Sequence, residues 1–237
     1  MGRLSSYRVN LWVNERYRAS KPKIAHFVVD DLLPEHVAAQ MNDYDPILEE
    51  SVYAFQDSRV VELISRICGI QSLHPDHHLY AGGISMMGNR HFLNPHLDNS
   101  HDKDRNLWRV LNLLYYVTPD WSISNGGNLE LWPDGLQREP IAIHSRFNRL
   151  VVMATHDSSW HSVSPISCGD GARCCVSNYY FSDSSLKDDD EFHVTSFRGR
   201  PKQPIRDIIL QADSRLRMAI RKGFKKGIVE NKHIYKK

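Results

Sequence analysis

Apolar residues recur along this chain with two different periods, and the change from one to the other divides it. "HFVVDDLLPEHVAAQMNDY" opens with a short apolar run, Phe27–Val29, that predicts a strand. A helix follows from near Pro34, since proline suits the first helical turn. In "SRVVELISRICGI" the residues Val61, Leu63, Ile64, Ile67 and Cys68 share one helical face, and Gly69 is placed to end the helix. From Leu79 the texture changes to short runs of β-branched and aromatic residues separated by Gly, Asn, Asp and Pro, which are strand and turn signals. "RVLNLLYYV" (109–117), "NLELW" (128–132), "PIAIH" (140–144), "RLVVMAT" (149–155), "HSVSPI" (161–166) and "RCCVSNYYF" (173–181) are the predicted strands. So many strands at such close spacing imply an all-β sandwich or barrel with the helices packed on it. After Pro204 the helical period returns. Ile205, Ile208, Ile209, Ala212, Leu216, Ala219 and Ile220 fall on one face with Arg and Lys opposite, an amphipathic helix expected to cover the barrel or an interface.

Composition alters this picture little. The 237 residues are 41% hydrophobic and 24% charged, enough apolar material for one sizeable core. No apolar stretch approaches the roughly 18 residues of a membrane span, and the N-terminus lacks a secretory core, so a cytoplasmic protein without membrane contact is expected. Cys68, Cys168, Cys174 and Cys175 show no CxxC spacing and read as reduced thiols. Charge is more informative. Residues 198–237 hold six Arg and seven Lys against Asp207, Asp213 and Glu230, a net +10 that leaves −8 for residues 1–197. The expected organisation is therefore a main unit over 1–197 and a basic helical extension over 198–237. That extension could meet an anionic substrate or an acidic partner, with nucleic acid the less favoured ligand.

Candidate chemistry gathers in "NPHLDNSHDKD", residues 94–104, with two histidines and three aspartates in eleven positions. His96 and Asp98 can form half of a metal site. His144, His156 and His161 all lie near predicted strand ends and could complete it. His161 is the best placed, because it opens a strand and is followed twelve residues later by Arg173 at the start of the next. Two imidazoles and one carboxylate on one face of Fe(II) leave positions open for a cosubstrate and dioxygen, and a planar guanidinium suits a cosubstrate carboxylate. His91, His101, Asp102 and Asp104 read as loop residues, and His74, His77 and His78 as surface residues.

The ordered set is His96-Leu97-Asp98, then "RVLNLLYYVTPDWSISNGGNLELWPDG", then "FNRLVVMATHDSSWHSVSP", then Arg173. Over about Phe27 to Phe181 it resembles the Fe(II)- and 2-oxoglutarate-dependent dioxygenases of the prolyl-4-hydroxylase type. The resemblance implies a double-stranded β-helix, a jelly-roll or cupin-like barrel. It implies His96, Asp98 and His161 as iron ligands, Fe(II), 2-oxoglutarate and O2 as cofactor and cosubstrates, and Arg173 on the distal carboxylate of 2-oxoglutarate. Tyr116 would lie near that carboxylate, Asn112 in the cosubstrate pocket and Leu129 in its wall. Tyr179, Met86 and Trp108 would be near the substrate.

The sequence departs from the animal prolyl hydroxylases in two places: Met86 stands where they carry a pocket tyrosine, and the segment between His161 and Arg173 is longer by about three residues. Both departures concern the substrate. A carboxylate at position 98, rather than a small residue that admits halide, implies hydroxylation. The expected activity is hydroxylation of an unactivated C–H bond, with release of succinate and CO2, on a small molecule. The alternatives are a prolyl hydroxylase acting on protein or peptide, a metal-dependent barrel enzyme without 2-oxoglutarate, and an inactive barrel binding a partner through its basic tail.

Overall fold

Hydrophobic alternation decides which face of each strand meets which neighbour, and in the computed structural model two antiparallel sheets and their helices follow from it. The structure describes residues 13, 15–20, 23–32, 47–77, 79–80 and 82–224. The helix expected from Pro34, His78 and the basic tail beyond 224 lie outside them. The elements are β1 (His26–Asp30), α1 (Ile47–Ala54), α2 (Ser58–Cys68), β2 (Leu73–Pro75), β3 (Gly83–Met87), β4 (Leu93–Leu97) and β5 (Trp108–Tyr116). They continue through β6 (Leu129–Leu131), β7 (Ile141–Ile143), β8 (Arg149–Ala154), β9 (His161–Val163), β10 (Arg173–Ser182), β11 (Ser196–Phe197) and α3 (Pro204–Gly223).

The larger sheet runs β1-β8-β5-β10, and the far edge of β10 is shared by β3 along Arg173–Ser177 and β2 along Tyr180–Ser182. The smaller sheet runs β11-β4-β9-β6-β7. Alternate residues of the larger sheet point to opposite layers. Leu113, Tyr115, Leu150, Val152, Val176 and Tyr180 face α1 and α2 and pack with Val52, Phe55, Ile64 and Ile67. Tyr116, Val151, Met153 and Cys175 form the other cluster, with Leu129, Leu131 and Ile143 of the smaller sheet. This layer between the sheets leads to the site.

α2 ends as its sequence requires. The Asp57 side chain accepts a hydrogen bond from the Arg59 amide at the start, and Gly69 adopts the left-handed conformation at the end, with its N–H donating to the Ser65 carbonyl. A side chain with a Cβ would be strained at that φ of 65°.

Two expectations are corrected. The resemblance implies a closed jelly-roll, cupin-like barrel, whereas among the described residues neither sheet closes on itself. Closure needs a continuous ladder between first and last strands with matched tilt and stagger. The smaller sheet ends instead at the two-residue β11 and the three-residue β7, whose Ile141 is 43% exposed. Strands so short offer too few rungs to join the sheets edge to edge. The second correction concerns the barrel-covering half of what is expected of α3. Its apolar face does not cover a sheet among the described residues: Ile205 is 76% exposed, Ile208 67%, and Ile209 and Leu216 62% each. The helix docks by its polar side. Asp207 accepts from the Arg198 guanidinium, Ser214 Oγ accepts from the Phe197 amide, and Arg217 donates to the Thr195 carbonyl.

Candidate metal centre

β4 and β9 are antiparallel neighbours in the smaller sheet, and their register sets His96 directly opposite His161. The two rings lie 4.1 Å apart between centroids. Asp98 follows β4 immediately, and its carboxylate oxygens lie 3.9 Å from His96 Nε2 and 3.8 Å from His161 Nε2. One donor atom from each of the three residues falls within 4.8 Å of the others, and they are the metal-competent cluster among the described residues. All three side chains are buried.

The tautomers are set by the backbone. His96 Nδ1 lies 2.9 Å from the Asn94 carbonyl, and His161 Nδ1 3.0 Å from the Ser159 carbonyl. A carbonyl only accepts, so each Nδ1 carries the hydrogen and each Nε2 turns a free lone pair towards Asp98. Burial, then the nearby His161, lowers the pKa of His96 to about 4, so it is neutral at pH 7 as a ligand must be. Burial pushes the Asp98 carboxyl up, but His161, Arg109, His96 and the Asn112 amide together outweigh it and hold the group below its ordinary value. Metal–ligand bonds of about 2.0–2.2 Å place adjacent donors roughly 3–4 Å apart, so this donor set fits a metal ion with little movement. Two imidazoles and one carboxylate with other positions open is the ligand set of non-haem Fe(II) oxygenases.

Two buried arginines stand on the larger sheet. Arg173 is 3% exposed and lies 5.1 Å from the Tyr116 ring centroid. Its Nη1 donates to Met87 Sδ, while its Nε and the Tyr116 hydroxyl are buried without a hydrogen-bond partner. The "GG" before β6 makes room for it. A Cβ at Gly127 would come within 2.9 Å of Arg173 Cδ, and one at Gly126 would strike the Pro165 carbonyl. Leu129, 1% exposed, packs beside Tyr116 and Cys175 in the inter-sheet layer. Asn112, opposite Tyr179 in the β5–β10 ladder, donates to Asp98 Oδ2 and to the Tyr179 hydroxyl, both at 3.3 Å. It therefore touches a ligand carboxylate directly.

Arg109 escaped the sequence reading because it stands at the head of an apolar strand and looks like a strand boundary. It is 4% exposed, stacks over Tyr179 at 4.2 Å and approaches Asp98 at 3.9 Å, with Nε and Nη2 buried and unpartnered. A charged residue within so apolar a run was the available signal. Phe197 was also missed; it stacks on His96 at 5.2 Å. Met86 and Trp108 are not brought to the cluster. Met86 is 56% exposed, and Trp108 packs on His101 in the loop after Asp98. His144 donates to or accepts from no ligand residue and lies against the Trp121 carbonyl, and His156 sits beside Asp157. Asp102 caps its own loop by accepting from the Asn106 and Leu107 amides. His74 pairs with Asp183 at the surface.

Residues 82–181 match the family model described as the 2OG-Fe(II) oxygenase superfamily. A comparison with curated proteins gives no match. Among solved structures, a prolyl 4-hydroxylase from Phytophthora capsici is 15% identical, with 93% of this chain and 80% of that chain covered and a TM-score of 0.54. A 2OG-Fe(II) oxygenase family oxidoreductase from Burkholderia pseudomallei is 14% identical over 74% and 91%, with a TM-score of 0.54. A Pseudomonas putida prolyl-4-hydroxylase is 12% identical over 74% and 94%, with a TM-score of 0.50. At these identities the likeness is one of fold. The family match covers the segment that carries His96, Asp98, His161 and Arg173, and with the His96–Asp98–His161 donor set it supports 2-oxoglutarate-dependent iron dioxygenase activity.

Proposed function

We propose that this dioxygenase hydroxylates an unactivated C–H bond, with a prolyl residue of a peptide as its substrate. Bound together, Fe(II) and 2-oxoglutarate supply dioxygen activation coupled to oxidative decarboxylation, which yields succinate and CO2. The chain supplies position and a dry setting. His96, Asp98 and His161 hold the metal, with both imidazoles turned by backbone carbonyls. Arg173 takes the distal carboxylate of 2-oxoglutarate, assisted by the Tyr116 hydroxyl, and Leu129 forms the apolar wall. Asn112 steadies the Asp98 carboxylate and links it to Tyr179.

The observation that carries the cosubstrate assignment is the buried guanidinium of Arg173, with Nε unpartnered, 5.1 Å from the ring centroid of Tyr116, whose hydroxyl is also buried without a partner. Leaving such groups unpaired costs about 1–3 kcal/mol each, so a carboxylate between them removes a penalty the folded chain otherwise carries. What supports the prolyl reading is that two of the solved structures of similar fold are prolyl 4-hydroxylases. It replaces the small-molecule expectation as the first to test.

Anaerobic titration of the Fe(II)-loaded protein with 2-oxoglutarate, read by the visible charge-transfer band of the chelate, tests the cofactor assignment. The band is expected in the wild type, absent in His96→Ala and weakened in Arg173→Leu. Turnover of proline-containing peptides should then exceed turnover of a library of free metabolites; the opposite order would overturn the peptidyl assignment.

A further inference from the structure

A second cluster of cations lies beyond the metal centre, where α3 meets the loop that follows Asp98. A cavity of about 430 Å³ there is lined by Asn99, His101, Arg105, Phe192, His193, Ile220 and Arg221, among others. The size suits a small ligand or one side chain with its neighbours. Its walls continue into the metal centre. Asn99 follows the ligand Asp98, the Ser100 amide donates to the His193 carbonyl, and the segment beginning at Phe192 runs on to Phe197, which stacks on His96.

The cavity is built around two guanidiniums that, among the described residues, have no carboxylate partner. Arg105 Nη2 donates to the Arg221 carbonyl at 2.5 Å, and the Arg105 guanidinium stacks on the Phe192 ring at 3.9 Å from its centroid. The two cations are close enough that, after burial, Arg221 is the next cause lowering the Arg105 pKa. Among the described residues neither has a carboxylate within 4 Å, although Arg217 in the same lining is paired with Asp213. The one acid of the lining, Asp102, accepts through Oδ1 from two backbone amides and has no arginine within 4 Å among the described residues. Arg105 Nε and His193 Nδ1 are buried and unpartnered. Arg105 also holds φ at 60°, a left-handed conformation that costs a residue with a Cβ and that the stack on Phe192 and the bond to Arg221 maintain. Like charges held together and unpaired donors each disfavour the folded chain by themselves. A bound anion answers both.

We propose that this cavity anchors the substrate through an anionic group, a carboxylate or phosphate taken by Arg105 and Arg221, with apolar neighbouring atoms lying on Phe192 and Ile220. The proposal rests on the hydroxylase reading above and narrows it to anionic substrates, a peptide with an acidic residue near the target proline or a small organic acid. The polar docking of α3 acquires a reason: it presents Arg221 and Ile220 to the cavity.

Phenyl phosphate, an aromatic body with an anionic head, is the probe, with benzyl alcohol as its neutral counterpart and calorimetric binding to the full chain as the readout. The wild type should bind phenyl phosphate at least about tenfold more tightly than benzyl alcohol, and Arg105→Gln and Arg221→Gln should each weaken it by about tenfold or more. Arg173→Leu and the surface variant Arg138→Gln should bind it as the wild type does. Equal affinity for the neutral compound, no loss in the two glutamine variants, or a loss confined to Arg173→Leu would each overturn the proposal. Should Arg105→Gln disturb its loop in circular dichroism, Arg221→Gln carries the same test from the helix. A chelate band without phenyl phosphate binding leaves the dioxygenase intact and removes the cavity assignment; binding without the band does the reverse. Peptides that place Glu or Gln beside proline, and short organic acids, then separate the two sources of the anion.

Discussion

Arg173 and Arg109 at the metal centre and Arg198 at the base of α3 are chemically the same residue in opposite circumstances. Arg198 is about one-third exposed and holds Asp207 through two short bonds, Nε at 2.6 Å and Nη2 at 2.9 Å. Arg173 and Arg109 are nearly inaccessible; Arg173 keeps Nε, and Arg109 keeps Nε and Nη2, buried without a hydrogen-bond partner. A chain selected for stability alone would do the reverse, since a buried donor left without a hydrogen bond costs more than an exposed one. The difference separates arginines that hold the fold together from arginines kept for something that binds.

The largest expected effect breaks the comparison at its centre. His161→Ala removes a donor whose Nε2 no other described residue can replace, and Fe(II) binding by equilibrium dialysis should fall below detection while the fold persists in far-ultraviolet circular dichroism. Next comes Arg173→Leu. Charge-assisted hydrogen bonds are worth about 1.5–3 kcal/mol, so the 2-oxoglutarate concentration needed for half-maximal chelate band should rise by about 10–100-fold. A rise of less than threefold would return the distal carboxylate to Arg109. Arg109→Met sharpens the contrast further, because stability and function should move in opposite directions. Removing two buried donors that lack hydrogen bonds should offset what is lost with the 3.9 Å contact to Asp98 and leave stability unchanged or raised by about 1 kcal/mol, whereas loss of the charge beside Asp98 should weaken Fe(II) binding by about tenfold or more. A variant that melts much lower than the wild type would make Arg109 a structural residue after all.

The same contrast explains what the sequence could disclose. Strands whose burial is carried by apolar residues, such as "RLVVMAT" and "RCCVSNYYF", appear in the structure almost as their pattern predicts. β4 carries the first histidine ligand yet was not among the predicted strands, because buried Asn94, Pro95 and His96 stand where alternation would place apolar side chains. Ligand chemistry erases the signal that marks a strand. The histidine and carboxylate ligands were legible by their order and spacing, which no core packing demands. Arg109 was not, since a residue at the head of an apolar run reads equally well as a boundary. The outward apolar face of α3 was invisible for a different reason: periodicity says which residues share a face and nothing about which face docks. There hydrogen bonds from Asp207, Ser214 and Arg217 decided the matter.

The smallest effect belongs to the paired arginine, and its sign with pH can be worked out. Asp207 accepts from Arg198, from the Gly199 amide and from the Gln211 amide, and these partners, the Arg198 hydrogen bonds foremost, hold its pKa at about 2 against an ordinary 3.8. A carboxyl with a depressed folded pKa contributes stability that is full above its unfolded value and is lost as pH falls through the folded one. Asp207→Asn should therefore destabilise the protein by about 1 kcal/mol at pH 7, after allowance for solvent screening, and lower the midpoint of thermal unfolding by about 2–4 °C. Between pH 4 and pH 2 the gap between variant and wild type should close, as the wild-type carboxylate takes up its proton. Fe(II) binding should be indifferent to the change, because Asp207 touches neither the ligands nor the inter-sheet layer. A pH-independent gap would mean that the Asp207 carboxylate acts through packing, and the distinction between structural and ligand-holding arginines would then need another example on the structural side.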